Sequence, residues 1–433
     1  MPERNEAAAQ AAFVYEKTVL LAAQPLRTFM NALLTTLTRR GFIHQCTQTD
    51  GVTDAFRSGI VPVYAGFDAT ADSLHVGHLL PIMLLRRLQR AGHKPIVLIG
   101  GGTTRIGDPS FRSDSRPMLT DAQIATNIAG IRGVFERFLA FGDGATDAIL
   151  VNNADWLDRL GYIDMLRDVG PHFSVNRMLS FDSVKSRLER QESLSFLEFN
   201  YMILQAYDFL ELNRRYGCRL QIGGADQWGN IVSGIDLVRR MAGEEVFGLT
   251  APLLTTASGA KMGKTAAGAV WLNGDRLSPY DYWQFWRNSE DRDVGRFLRL
   301  FTDLDEADIV HLESLEGADI NAAKTVLADE ATRLAHGEDA RMRAAEAAAG
   351  AFGDGESLNG LPVIEVSGSV TVVDLLVQAG LVSSKSEARR LIANRGARLD
   401  DEVVEDEGAV ITVNDPLKLS AGRKKHVLIR ARE

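Results

Sequence analysis

Cysteine is almost missing from this chain. Cys46 and Cys218 are the only two among 433 residues, so no disulfide framework staples the fold and no Cys-rich zinc cluster can be assembled. A reducing compartment is compatible with that. Long apolar runs are missing too, because no stretch reaches about 18 uninterrupted apolar residues, the length a membrane-crossing helix needs. The opening residues MPERNEAAAQAAFVYEKTVLLA carry Glu3, Glu6 and Glu16. They lack the basic start, apolar run and cleavage site of a secretory signal, and the cytoplasm is the expected location. Repeats and low-complexity tracts are also absent.

Positive charge is in deficit, but unevenly. The net charge is −9, from 48 basic against 57 acidic residues. Residues 361–433 hold 11 of each sign and are neutral, so the whole deficit falls in residues 1–360. An acidic protein can still carry a local basic footprint, and whole-chain charge therefore decides little about a nucleic-acid partner.

At this length the chain should form two or three domains, and 45% hydrophobic with 24% charged residues fits a globular protein. The organising stretch is Val63 to Ser110, VYAGFDATADSLHVGHLLPIMLLRRLQRAGHKPIVLIGGGTTRIGDPS. It reads as strand, Gly- and His-bearing turn, amphipathic helix, then a second apolar strand ending in glycines. That is one β-α-β unit. Ligands in open α/β sheets bind outside the carboxyl ends of the strands, which predicts that His75, Gly77, His78, the glycines at 100–102 and Asp108 gather at one rim. Neutral imidazoles beside bare backbone at a helix start would receive phosphate oxygens.

The rest of the chain extends this pattern. Residues 1–45 read as largely helical, and Gln45 to Asp54 as too polar for a core element. Strands are expected at Ile60–Phe67, Pro95–Gly100, Ala148–Asn152 and Cys218–Ile222, and helices from between Gly77 and Pro81 to Gly92 and at Leu119–Leu139. Strands alternating with helices indicate an α/β core to about residue 250. A basic group, His172, Arg177, Lys185 and Arg187, follows the turn at Gly170-Pro171. Residues 249–350 contain a mobile-looking loop and an Ala- and acid-rich helical region. Residues 351–362 have linker composition, leaving residues 363–433 as a small separate domain.

Three elements carry chemistry. The histidines of HVGH, His75 and His78, are expected on one helix-start face, where they can donate to the oxygens of an α-phosphate under attack; an isolated H-x-G-H is otherwise a surface turn. Zinc is a poor reading because no further ligands appear at the spacing such sites use, and any magnesium would arrive with a nucleotide, held mainly by its phosphates. KMGKT, Lys261 to Thr265, sets two ammonium groups around Gly263 and is not a P-loop. It can close on a triphosphate and neutralise leaving pyrophosphate, or be a solvated basic loop. Arg112 and Arg116 are second contacts to pyrophosphate or ordinary surface charges.

In the apolar helix LSFLEFNYMILQAYDFLEL, residues 194–212, Tyr201, Gln205 and Asp208 fall at i, i+4 and i+7 and share one face. An aromatic substrate with polar ends would satisfy that stripe, as would a structural hydrogen-bond network. Tyr64 can complete a hydroxyl-binding pair with Asp208. Asp226, at a second Gly-rich strand end, is placed to hold a ribose or an ammonium group. In the C-terminal domain, a helix from about Ser384 displays Lys385, Arg389 and Arg390, with Arg423, Lys424 and Lys425 nearby. These cations can clamp RNA phosphates or form a plain charged surface.

Together these stretches resemble the tyrosyl-tRNA synthetases, class I aminoacyl-tRNA synthetases of the bacterial or organellar type. YAGFDATADSLHVGH stands for their first signature and KMGKT for their KMSKS loop, departing from the general motif at Gly263 and Thr265. FLEFNYMILQAYDF and CRLQIGGADQWGN are the most specific stretches. The resemblance implies a Rossmann-like catalytic core with a parallel sheet, residues 1–248, carrying an N-terminal helical segment and a dimer-forming insertion. It also implies an α-helical anticodon-side domain at 249–350 and a small α+β RNA-binding domain at 363–433.

By resemblance, Tyr64 and Asp208 bind the tyrosine hydroxyl, and Tyr201, Gln205, Asp108 and Gln227 hold the ammonium end. Asp68, Thr70 and Gln221 line the remainder of the pocket. Gly66, Gly77, Gly224 and Asp226 meet ATP. His75 and His78 contact its phosphates, and Lys261, Lys264, Arg112 and Arg116 stabilise pyrophosphate. The implied substrates are L-tyrosine, ATP with Mg2+, and tRNA-Tyr, the implied assembly is a homodimer, and no bound metal site is expected. Tryptophanyl-tRNA synthetase is the nearest competing reading, and a noncatalytic synthetase-derived RNA-binding protein the more distant one.

Overall fold

The structure, a computed structural model, describes residues 33–108, 119–259, 262–265, 268–352, 361–413, 416–422 and 425–432. They fall in two compact units, one within Met1–Asp72 and His78–Leu254, the other within Ser73–Gly77 and Thr255–Glu433. Among the described residues no helix is long and apolar enough to cross a membrane.

The first unit is built on six strands: β1 (Gln45–Cys46), β2 (Pro62–Phe67), β3 (Lys94–Ile99), β4 (Ile149–Asn152), β5 (Leu220–Gly224) and β6 (Phe247–Ala251). Their order across the sheet is β1-β6-β5-β2-β3-β4. The neighbours from β4 through to β6 run parallel, while β1 lies antiparallel to β6. The expected parallel sheet therefore gains an antiparallel edge. The stretch read as too polar for a core element supplies that edge and the helix Thr49–Ser58, which buries Val52, Ala55 and Phe56. An edge strand and an amphipathic helix each need only one apolar face, so high mean polarity does not exclude either.

The helix Leu79–Arg90 follows the turn Val76–His78 and buries seven apolar side chains, Leu79, Leu80, Ile82, Met83, Leu84, Leu85 and Leu88. Each such burial is worth about 1.5–3 kcal/mol relative to exposure, which fixes this helix on the sheet. Pro81 sits in its first turn, where a missing amide donor costs no hydrogen bond. The chain moves outward from β2 to β3 and β4, then returns to the other side of β2 with β5. The sheet thus has its switch of direction between β2 and β5, the crevice where open α/β sheets bind ligands.

The long helix Phe196–Tyr216 carries a capping box in which Ser195 and Glu198 satisfy each other's end groups. Glu198 also accepts from the Arg187 guanidinium at 3.0 Å, and both residues are buried. Arg187, expected in an open basic group, is a partner of a buried carboxylate instead, because the helix start leaves that charge out of water.

In the second unit, helices Pro279–Arg287, Asp291–Phe301, Glu306–Glu313, Ile320–His336 and Glu338–Phe352 follow one another. Helix continues through Ala351 and Phe352, into the stretch read as linker. Farther on, a five-stranded sheet runs Glu402–Val403, Ala397–Leu399, Leu417–Ala421, Lys425–Ala431 and Val363–Val366, with helices Val372–Gln378 and Lys385–Ala393. Its core gathers Val372, Leu375, Leu376, Ala388, Ile392, Leu419 and Ile429.

Candidate active site

Tyr64 on β2 and Gln221 on β5 are Cα partners in the parallel ladder, at the sheet's switch of direction. Tyr64 is 1% exposed, its ring tilted against Phe209 at 5.2 Å, and its hydroxyl has no hydrogen-bond partner. Asp208 on the helix Phe196–Tyr216 is buried as well. Its Oδ2 accepts from Asn153 Nδ2 at 2.9 Å and its Oδ1 from Trp156 Nε1 at 2.7 Å. Burial pushes the Asp208 carboxyl up to about 7; the donors Asn153 and Trp156 oppose that shift, and the charges of Asp68 and Glu211 add to it. Burial, with the Asp208 charge second, also raises the Tyr64 phenol. A buried hydroxyl left unpaired costs about 1–3 kcal/mol. Beside a carboxylate with acceptor capacity left, it is suited to a ligand hydroxyl that gives a proton to one and takes one from the other.

A second polar group continues along the same helix face. The Tyr201 hydroxyl donates to Asp68 Oδ2 at 3.3 Å, and Thr103 Oγ1 donates to Asp68 Oδ1 at 2.9 Å. Gln227 Nε2 donates to Asp108 Oδ2 at 2.9 Å, while Asn230 Nδ2 donates to Gln205 Oε1 at 2.8 Å and to Gln227 Oε1 at 3.2 Å. Asp226 accepts weakly from Gln227 Nε2 at 3.4 Å, beside Gly224. The Gln221 Oε1 is buried without a partner. The first unit thus brings together the phenols of Tyr64 and Tyr201, the carboxylates of Asp68, Asp108 and Asp208 and the amides of Gln205, Gln221 and Gln227. Thr70 and Gly66 are exposed.

The glycines at 100–102 lie close against neighbouring side chains. A Cβ on Gly100 would stand 2.3 Å from Asp68 Oδ1 and 2.4 Å from Thr103 Oγ1, and one on Gly101 would stand 2.3 Å from Asn152 Oδ1. The strand-end glycines thus leave room for the side chains of Asp68, Thr103 and Asn152.

The two signature motifs take unexpected forms. His75 immediately precedes the helical turn Val76–His78 and, in addition, forms an antiparallel bridge with Trp271, while its Nδ1 accepts from the Gly77 amide at 3.0 Å. The flanking bonds Val76 N to Val270 O, Leu272 N to Leu74 O and Val270 N to Gly263 O stitch the second unit's residues 73–77 to the segment that follows KMGKT. Gly263 has φ +89°, and a Cβ there would lie 2.8 Å from the Gly77 amide nitrogen. A serine at this position, as in the general class I motif, would meet both obstacles. His78 ends the turn before the helix Leu79–Arg90, its ring edge-on to Phe67 at 6.4 Å. The backbone of Lys264–Thr265 pairs with Gly268–Ala269. Lys261, Arg112, Arg116, Arg423 and Lys424 lie outside the described residues.

Residues 58–353 match the family of "tRNA synthetases class I (W and Y)", and residues 355–430 match the "Tyrosine--tRNA ligase SYY-like C-terminal domain". The chain is 61% identical to the tyrosine–tRNA ligase of Novosphingobium aromaticivorans, over 93% of this chain and 99% of that one. The chain belongs to the tyrosine–tRNA ligase family. Among solved structures, a C-terminally truncated mitochondrial tyrosyl-tRNA synthetase of Coccidioides posadasii is similar with TM-score 0.65 and 31% identity, over 78% of this chain and 99% of that one. The tryptophanyl-tRNA synthetase of Giardia lamblia, at 15% identity and TM-score 0.54 over 77% and 94%, shares the fold. The tyrosine family, not its tryptophan relatives, is where this chain's sequence lies.

Thr103, Asn153 and Trp156 complete these polar groups without having been expected from the sequence. Nothing in their local sequence marks them, because each reaches its carboxylate across more than 30 residues of chain. In the C-terminal domain, Ser384 caps the helix Lys385–Ala393 as expected. Lys385 pairs with Asp374 at 2.7 Å, Arg389 approaches Glu407 at 3.8 Å, and both are exposed. Arg390 is exposed, and Lys425 Nζ donates to the Leu381 carbonyl at 3.2 Å. Among the described residues no group of three or more His, Cys, Asp or Glu gathers as a metal site.

Proposed function

We propose that this chain activates L-tyrosine with ATP to tyrosyl-adenylate and pyrophosphate, then transfers tyrosine to the 3'-terminal adenosine of tRNA-Tyr with release of AMP. The observation that carries the reading is the unpaired, buried Tyr64 hydroxyl beside the buried Asp208 carboxylate. A phenol placed there donates to Asp208 and accepts from Tyr64. An indole or a bare phenyl ring leaves at least one of them unsatisfied, and such a site discriminates by about 10⁴–10⁵ without editing.

Tyr201, Gln205, Asp108 and Gln227 hold the amino acid's ammonium end, and Asp68, Thr70 and Gln221 line the remainder. Gly66, Gly77, Gly224 and Asp226 accommodate ATP. In activation the tyrosine carboxylate oxygen forms a bond to the α-phosphorus, and the bond to pyrophosphate breaks. His75, His78, Lys261, Lys264, Arg112 and Arg116 stabilise the charge that develops on the phosphates. Magnesium comes as part of the ATP substrate, held mainly by phosphate oxygens. A ribose hydroxyl of the tRNA end then attacks the adenylate carbonyl. No protein nucleophile enters: Cys218 is buried, and burial raises its thiol far above ordinary values.

Residues 289–346 hold 15 acidic and 7 basic residues, which repels phosphate. We therefore assign the phosphate contacts of tRNA to Lys385, Arg389, Arg390, Arg423, Lys424 and Lys425 in the C-terminal domain, and only shape-complementary contacts to the helical region. A homodimer is supported by Tyr162, Ile163, Val175, Phe196 and Leu197, all at least 46% exposed on the segment between β4 and the body of the helix Phe196–Tyr216. Patches of this kind mark protein contacts. Sedimentation at micromolar concentration should give twice the chain mass, and a monomer would remove the assembly. The cytoplasm is the compartment in which this reaction fits.

Pyrophosphate exchange with single amino acids tests the whole reading. Tyrosine should support exchange, with phenylalanine and tryptophan orders of magnitude slower. Exchange with tryptophan alone would assign the chain to the other branch of its fold, and none with any amino acid would favour a noncatalytic role.

A further inference from the structure

The two ends of the tyrosine pocket are joined by side chains that do not face the substrate in the reading above. Asn153 Oδ1 accepts from the Gly102 amide at 2.8 Å, which fixes the orientation of the Asn153 amide group. Its Nδ2 must then face the other way, and it donates to both Asp208 Oδ2 at 2.9 Å and Thr103 Oγ1 at 3.0 Å. Because Thr103 accepts from Asn153, its own proton is directed at Asp68 Oδ1, 2.9 Å away. Asp68 in turn accepts from the Tyr201 hydroxyl. The path runs Tyr201, Asp68, Thr103, Asn153, Asp208, with the donor sense of every Thr103 and Asn153 bond dictated by one backbone amide.

Thr103, Asn153 and Asp208 are each no more than 2% exposed, so water does not compete for these bonds and their geometry is coupled. The absence of a side chain at Gly100 clears the place where Asp68 Oδ1 and Thr103 Oγ1 meet, since a Cβ there would lie within 2.4 Å of both. The strand-end glycine thus has a role in this relay.

We propose that Thr103 is a positioning residue for specificity: its hydroxyl ties Asp68, which accepts from Tyr201 of the ammonium end, to the carboxylate at the phenol end, Asp208. This rests on the functional reading above. Removing the hydroxyl frees one Asn153 donor and one Asp68 acceptor, so both ends of the pocket lose their setting although neither substrate contact is deleted. A residue needed only for packing would lower stability and leave substrate choice alone.

The test is pyrophosphate exchange on the full chain with tyrosine and with phenylalanine, for wild type, Thr103→Val and Thr103→Ser, with melting temperatures recorded. Thr103→Val keeps the volume and should raise KM for tyrosine about tenfold with kcat nearly unchanged, because ground-state and transition-state binding are lost together. The preference for tyrosine over phenylalanine should fall by about tenfold as well. Thr103→Ser should restore both. An unchanged preference in Thr103→Val overturns the relay whatever its melting temperature. If Thr103→Val does not fold, Thr103→Ala carries the same expectation and the same reversal. Failure of wild type itself to exchange tyrosine would refute the functional reading instead, so the two failures are distinguishable.

Discussion

The proposed tyrosine pocket and the C-terminal domain both rely on polar side chains, yet they use them in opposite ways. Around Asp208 the polar groups are buried, each bond is shorter than about 3 Å, and one hydroxyl is left without a partner. Around the helix Lys385–Ala393 the cations are more than half exposed and rest against acids of their own domain. Buried groups cannot fall back on water, so a wrong ligand leaves them unsatisfied and the cost is large. Exposed cations exchange one counter-ion for another, and exposed ion pairs are worth little on their own. The first arrangement is suited to reading identity. The second is suited to supplying affinity that falls with salt.

Four measurements press on that contrast. The largest effect should come from Asp208→Ala, which strands the donors of Asn153 and Trp156 and removes the phenol's acceptor. We expect kcat/KM for tyrosine to fall by about 100-fold or more, and a loss under threefold would mean that the phenol binds elsewhere. The same carboxyl gives a pH signature. Its folded-state value, about 7, lies above its ordinary 3.8, so its contribution to stability is complete below about pH 4 and is lost as pH rises through 7. Melting of wild type relative to Asp208→Asn should follow that decline, and a flat difference between pH 4 and 8 would contradict it.

Tyr64→Phe should separate stability from function. Deleting an unpaired buried hydroxyl should stabilise the unliganded protein by about 1 kcal/mol while cutting the preference for tyrosine over phenylalanine about tenfold. A destabilised variant with intact preference would reverse the assignment. The smallest effect belongs to the exposed set. Replacing Lys385, Arg389 and Arg390 together by Ala should leave pyrophosphate exchange unchanged. It should weaken tRNA charging several-fold at low salt and reduce the salt slope by about 1 per residue removed. Equal loss in both assays would show that these cations serve the pocket or the fold rather than tRNA.

Much of the pocket was legible because helix and strand periodicity are local. The i, i+4, i+7 spacing put Tyr201, Gln205 and Asp208 on one face before any fold was known, and a continuously apolar β3 announced a sheet covered on both sides. The polar stretch at Gln45 to Asp54 misled because mean polarity hides an amphipathic helix beside a two-residue edge strand. The bridge made by His75 was not legible for a related reason. It depends on Trp271, in a segment nearly 200 residues away, and no local spacing encodes that.

The sequence by itself determined the α/β alternation, the polar face of the substrate helix and the two motifs, since backbone geometry converts residue spacing directly into direction. Only the tertiary structure decided which groups share a hydrogen bond. Thr103 and Asn153 acquire their partners when β3 and β4 end side by side beneath the helix Phe196–Tyr216, and Gly100 acquires its necessity there too. Hydrogen bonds demand positions good to a fraction of an ångström, and only packing of the whole core sets positions that finely.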